Sequence, residues 1–121
     1  MKKMTFTLLL GIAVAAIASV NPLSWTMTNI DLGEVSVGEI REVNFDFTNE
    51  SINEVMILEA KGSCGCTDVQ YPKEAIASGG TARISAKFTA KGTGTFKKNI
   101  KIKINASEEY TYLNFQGEVK E

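Results

Sequence analysis

Histidine is absent from all 121 residues. That absence excludes Ser-His-Asp and Cys-His nucleophile pairs, a histidine general base, and His-ligated zinc, haem or copper. Cysteine occurs twice, as Cys64 and Cys66. The chain therefore lacks both the widely separated cysteine pair of antibody domains and the Cys-x-x-Cys spacing of helix-start redox sites. Proline also occurs only twice, as Pro22 and Pro72, and each breaks the chain beside an extended run. No excess of either charge is present: 13 Lys and Arg stand against 14 Asp and Glu. This balance argues against bulk nucleic-acid binding. There is no internal repeat and no low-complexity stretch.

The one long apolar run lies at the start. Lys2 and Lys3 precede Leu8 to Ala18, which only Gly11 interrupts, and Ala16-Ile17-Ala18 is a small-x-small site. This is the three-part pattern of a secretory signal peptide, expected over residues 1–18. The run falls short of the roughly 20 residues that span a bilayer. No cysteine follows it to carry a lipid. The expectation is export to the periplasm or the cell exterior, with no stable membrane span after cleavage. Loss of Lys2 and Lys3 leaves 11 basic against 14 acidic side chains in the mature chain.

Residues 19–26 read as a linker, with Trp25 placed to cover the edge of a core, and residues 27–121 read as one domain. Ile30, Leu32 and Val35 suggest a first extended stretch, and Val37-Gly38-Glu39 a turn. Ile40 to Thr48 is the clearest strand: Val43, Phe45 and Phe47 alternate with Asn44, Asp46 and Thr48. A period of two gives one buried and one wet face. Glu54 to Ala60 is a strand whose unbroken Val55-Met56-Ile57-Leu58 run predicts cover on both faces. Asp68 to Tyr71 is a short edge strand stopped by Pro72. Thr81 to Thr89 and Thr95 to Ile104 alternate again, joined by the glycine-rich turn Lys91-Gly92-Thr93-Gly94. Tyr110 to Val119 closes the domain, with Leu113 and Phe115 in the core and Tyr110 and Tyr112 at core or rim. About seven strands at ten-residue spacing, with no helix, predict an all-β, immunoglobulin-like antiparallel sandwich.

Gly62-Ser63-Cys64-Gly65-Cys66-Thr67 sits between two of these strands, and it is the stretch that invites a functional reading. In this frame the chain resembles a family of short exported bacterial proteins of unknown function. Ser63-Cys64-Gly65-Cys66-Thr67 matches the family's hallmark. Asp31-Leu32-Gly33-Glu34-Val35 resembles its opening strand, and Phe45-Asp46-Phe47-Thr48-Asn49 its Phe-x-Phe-x-Asn strand. Gly94-Thr95-Phe96 with Lys98-Asn99-Ile100 resembles its penultimate hairpin, and Phe115-Gln116-Gly117-Glu118-Val119 its closing strand. Gly79-Gly80 stands where the family often has Pro-Gly, and Ile104-Asn105 where it has Ser-Asn. The resemblance implies an Ig-like sandwich akin to Hydin-type and major-sperm-protein-like modules, and no activity.

Three readings of the Cys64 and Cys66 pair follow from their chemistry. An oxidising compartment favours a local disulfide. A fully extended i to i+2 pair stands about 6.6–7 Å apart at Cα, the upper limit for a disulfide, so the chain must turn, and Gly65 offers the φ freedom for it. A loop this small adds little stability. The second reading is a metal site. Two thiolates, even with Asp68, do not complete zinc, and copper(I) suits Cys-x-Cys better. The third is thiol–disulfide exchange, with Lys61 or backbone amides activating a sulfur.

The remaining features have plainer readings. Lys97, Lys98, Lys101 and Lys103 form a basic stripe on the wet face of a strand, which protects an edge or meets an anionic partner. Asn105-Ala106-Ser107, a glycosylation sequon by pattern, reads as a turn. No nucleophile–base pair is present, so the expectation is a non-catalytic binding or structural module. Its protein partner would be met through an exposed edge strand, with no cofactor. The alternative is a copper(I) or exchange protein built on Cys64 and Cys66.

Overall fold

A computed structural model describes residues 22–121. The expected signal peptide, and the start of the expected linker, lie outside the described residues. The elements are β1 (Leu23–Trp25), β2 (Asn29–Ser36), β3 (Ile40–Asn49), β4 (Ile57–Gly62), β5 (Thr67–Gln70), β6 (Thr81–Thr89), β7 (Gly94–Ile104) and β8 (Thr111–Lys120). They form two four-stranded sheets, ordered β1-β3-β6-β5 and β2-β8-β7-β4. The all-β sandwich expected from the strand spacing is the fold observed.

The period of two in β3, β6 and β7 builds the core. Val43, Phe45 and Phe47 of β3 and Ile84, Ala86 and Phe88 of β6 point inward. From the other sheet come Ile100, Ile102 and Ile104 of β7 and Leu113, Phe115 and Val119 of β8. Phe88 stacks on Phe96 with ring centroids 4.6 Å apart and meets Phe115 edge-on at 5.5 Å. The two sheets therefore touch through aromatic pairs near the β5 end as well as through aliphatic side chains.

Four details differ from the sequence reading. Leu23 to Trp25, expected within a linker, form β1. Leu23 is buried, Trp25 packs on Phe47 at 4.8 Å, and the segment pairs antiparallel with Phe47 to Asn49. The run around β4 is not covered on both faces: Val55 and Ile57 are buried while Met56 and Leu58 are exposed. A register shift between Ile57 and Glu59 sets Leu58 outside the ladder, so a run without alternation still keeps one wet face. β2 pairs with β8 in parallel rather than antiparallel. Tyr110 and Tyr112 are exposed rather than core or rim, because Tyr112 stands opposite Lys101 on the outer face of the sheet.

Two local features hold the frame. Asn49, the one buried polar side chain among the described residues, donates from Nδ2 to the carbonyls of Asn53 (2.8 Å), Ile76 (2.9 Å) and Ala77 (3.3 Å). Its Oδ1 accepts from the Ser51 amide at 3.0 Å and the Ser51 hydroxyl at 2.7 Å. One side chain thus ties the 51–53 turn to the 76–77 loop, with the Ile76 carbonyl as its buried acceptor. At Gly117, a Cβ would stand 2.6 Å from the Gly33 carbonyl oxygen and 2.9 Å from Phe96 Cζ. Glycine is required where the bulged β2 lies against β8.

Candidate functional site

β4 is the last strand of one sheet and β5 the last strand of the other. Residues 63–66 carry the chain from sheet to sheet along one side of the sandwich. The crossing is tight. The Ser63 amide donates to the Asn99 carbonyl at 2.9 Å, continuing the β4–β7 ladder by one residue. The Asn99 amide then finds the Ser63 hydroxyl, at 3.2 Å, instead of the Ser63 carbonyl. The side chain replaces the backbone acceptor, and the main chain is free to turn away.

On the far side, Thr89 donates its amide to the Cys66 carbonyl at 3.1 Å, and Thr67 faces Phe88 as the first residue of β5. The Thr67 amide closes the loop on the Cys64 carbonyl at 3.3 Å. Gly62 is needed for closeness: a Cβ there would lie 3.0 Å from Thr67 Cβ and 3.2 Å from Thr67 Cγ2.

Within this crossing Cys64 and Cys66 are joined by a disulfide, with Cα atoms 5.3 Å apart. That separation is well short of an extended chain and inside the range a disulfide accepts. The turn is not made by a left-handed Gly65. Gly33, Gly38, Gly79, Gly92 and Gly94 have positive φ, and Gly65 is not among them. A Cβ at Gly65 would meet nothing within 4 Å. Gly62 and Ser63, not Gly65, are the residues the crossing demands.

The two sulfurs have different surroundings. Cys64 Sγ lies 3.6 Å from the Thr67 hydroxyl. Cys66 packs against the core and lines a cavity of about 300 Å³, with Phe88, Phe96, Lys91, Lys98 and the 92–94 turn around it. Lys98 was read from sequence as part of an outward basic stripe, and the structure corrects this. Lys98 stands opposite the buried Phe115, with Phe96 and Ile100 flanking it on the same side of β7. It points inward, half-buried, beside Cys66, whereas Lys97, Lys101 and Lys103 keep the outer face. The phase of β7 carried this information, since Lys98 has the parity of Phe96 and Ile100. Lys61, expected to activate a sulfur, stands opposite Lys101 on the outer face. A broader, open depression of about 760 Å³ over the β2–β8 bulge touches neither cysteine.

The oxidised pair presents no thiolate to a metal. Among the described residues no three His, Cys, Asp or Glu side chains come together as a metal site. Asp68, weighed as a further ligand, accepts instead from Gln70 Nε2 at 3.5 Å on the exposed side of β5. The two carboxylates held below their usual range make their bonds away from the cysteines. Glu39 is lowered by the Ser36 amide and by Arg41, and Asp46 by its hydrogen bond from Arg83.

Residues 23–119 match the model of a family described as protein of unknown function DUF1573. The chain belongs to that family. The match starts at the first residue of β1 and ends one residue before the end of β8, so the strand the sequence reading took for linker is part of the family's domain. No curated protein matches the chain. Among solved structures, the fold is similar to the ASH/PapD-like domain 7 of human CEP192, with a TM-score of 0.61 at 13% identity over 83% of this chain and 86% of that one. A protein of unknown function from Porphyromonas gingivalis W83 gives 0.67 at 11% identity, over 83% of this chain and 50% of that one. The secreted serine protease VesC from Vibrio cholerae gives 0.65 at 14% identity, over 80% of this chain. The DUF1573 chain spans only 23% of VesC. At such identities the likeness is one of fold.

Proposed function

We propose that this DUF1573 chain is an exported, non-catalytic binding module that receives an extended segment of a protein partner along β5. The observation that carries the reading is the state of the sandwich's four edges. β1 has three residues, and β2 and β4 both carry register shifts. Short or bulged edges resist strand addition. β5 is short as well, at four residues, but it pairs with β6 without a shift and leaves its other side open.

Antiparallel pairs alternate between bonded and non-bonded residues. Cys66 and Thr89 form a bonded pair, so Val69, three residues on, turns its amide and carbonyl to the open side. Val69 and Tyr71 are only partly buried against the core. An added strand would complete both the ladder and that cover, with main-chain bonds giving affinity and alternate side chains giving specificity. Support for export comes from the pattern of residues 1–18 and from the oxidised cysteine pair.

The test is selection of extended peptides on the chain lacking residues 1–18, followed by amide hydrogen exchange. Selected peptides should slow exchange at Val69, and Val69→Pro, which removes that edge donor and leaves the β6 ladder intact, should abolish binding while the fold survives. Binders that protect β2 instead, or that tolerate Val69→Pro, would refute it.

A further inference from the structure

We infer that the Cys64–Cys66 bond exchanges with a dithiol of a protein partner, with Cys66 the sulfur attacked and Cys64 the sulfur that leaves. This does not rest on strand addition at β5. It rests on the different surroundings of the two sulfurs. Cys66 lines the cavity of about 300 Å³, which an incoming side chain can enter. Lys91 and Lys98 line the same cavity, and no carboxylate does. Lys98 is an inward-facing cation with no ion pair among the described residues, so it draws an incoming thiolate toward Cys66. Cys64 lies 3.6 Å from the Thr67 hydroxyl, a donor ready for the charge that develops on a leaving sulfur. Gly65, exposed between the two cysteines, adds no side chain to cover them, and the fold gives no other reason for a glycine there.

A partner thiolate forms a bond to Cys66 Sγ while the Cys64–Cys66 bond breaks. The bonding pair goes to Cys64 Sγ, which departs as a thiolate and accepts a hydrogen bond from Thr67. The partner's second thiolate then attacks the partner sulfur of the mixed disulfide, and Cys66 leaves as a thiolate. The partner dithiol loses two electrons and two protons and becomes a disulfide. The chain gains two electrons, and Cys64 and Cys66 take up the protons from solvent. Exchange rates rise as the leaving thiolate is better stabilised, which assigns Thr67 a direct role.

The experiment reduces the oxidised chain with two monothiols, neutral 2-mercaptoethanol and anionic 2-mercaptoethanesulfonate. The free sulfur is trapped with N-ethylmaleimide and the adducts are mapped by mass spectrometry. The thiol should be found on Cys66 and the maleimide on Cys64, in at least about tenfold excess over the reverse. Thr67→Val should slow both reagents about threefold. Lys98→Gln should slow the anionic thiol by about three- to tenfold and the neutral one by less, a difference that a merely structural role would not produce. Equal adducts on both cysteines would overturn the assignment. So would rates equal to those of the oxidised peptide Ser-Cys-Gly-Cys-Thr and indifferent to Lys98→Gln. Should Thr67→Val fail to fold, the half-buried Lys98 variant and the adduct map still decide.

Discussion

Ser63 and Asn99 exchange two hydrogen bonds, and one of them uses a side chain where a sheet would use backbone: the Ser63 amide gives to the Asn99 carbonyl at 2.9 Å, and the Asn99 amide gives to the Ser63 hydroxyl at 3.2 Å. This is the point at which the chain leaves one sheet for the other. Ser63→Ala strips the acceptor from the Asn99 amide. A loss of about 1 kcal/mol is expected in denaturant unfolding, with the disulfide still formed.

The two glycines of the loop should respond oppositely to alanine. At Gly62 the new methyl group would press on Thr67 at 3.0 Å and 3.2 Å, so β4 and β5 must part. Gly62→Ala should cost about 1–3 kcal/mol. Gly65→Ala adds a methyl group in open space at an ordinary φ and should stay within about 0.5 kcal/mol of the parent. Paired thermal melts check both.

Asn49 gives a larger effect. Its replacement by alanine takes one donor from the buried Ile76 carbonyl, which keeps only the Val55 amide, and unties the 51–53 turn from the 76–77 loop. A loss of about 2–3 kcal/mol is expected. Asn49→Asp keeps the shape but sets acceptors against those carbonyls, and it should fare no better. Chemical unfolding of both variants measures this.

Acid should weaken the fold in part through Asp46. Arg83 donates to its carboxylate from Nε at 2.6 Å, and the Asp46 carboxyl is thereby held below the ordinary aspartate value. With the folded value below the unfolded one, the contribution is present above the unfolded value and lost as pH falls through the folded one. The pair is exposed, so the effect is small and screened by salt. Stability followed from pH 5 to pH 2 should fall less steeply in Arg83→Ala, and the difference should shrink at 1 M salt.

Much of this was legible because a strand's side-chain period is simple. The Phe45-Asp46-Phe47 alternation named the buried face of β3, and the chain's spacing named the sandwich. What escaped did so for physical reasons. Leu23 to Trp25 is too short to show a period, and its strand depends on the Phe47 partner. The bulge at Leu58 let four consecutive apolar residues sit at a half-wet edge. The loop motif marked the site, but not which residue served what. Gly65 looked like the conformational hinge, whereas Gly62 carries the steric demand, a contact with Thr67 that only the fold reveals. Lys98 was hidden among lysines of the opposite face, although its parity on β7 gave it away.

An exchangeable Cys64–Cys66 bond differs from a staple in its reduction potential. A loop closed between residues two apart restrains the unfolded chain by only about 1.5 kcal/mol in the chain-entropy model, so folding lends the bond little protection. The direct measurement is its reduction potential, from equilibrium with glutathione buffers and intact mass after alkylation. An exchangeable bond has a value above about −230 mV, in the range of exchange proteins, and a value below about −300 mV, typical of structural disulfides, would contradict it.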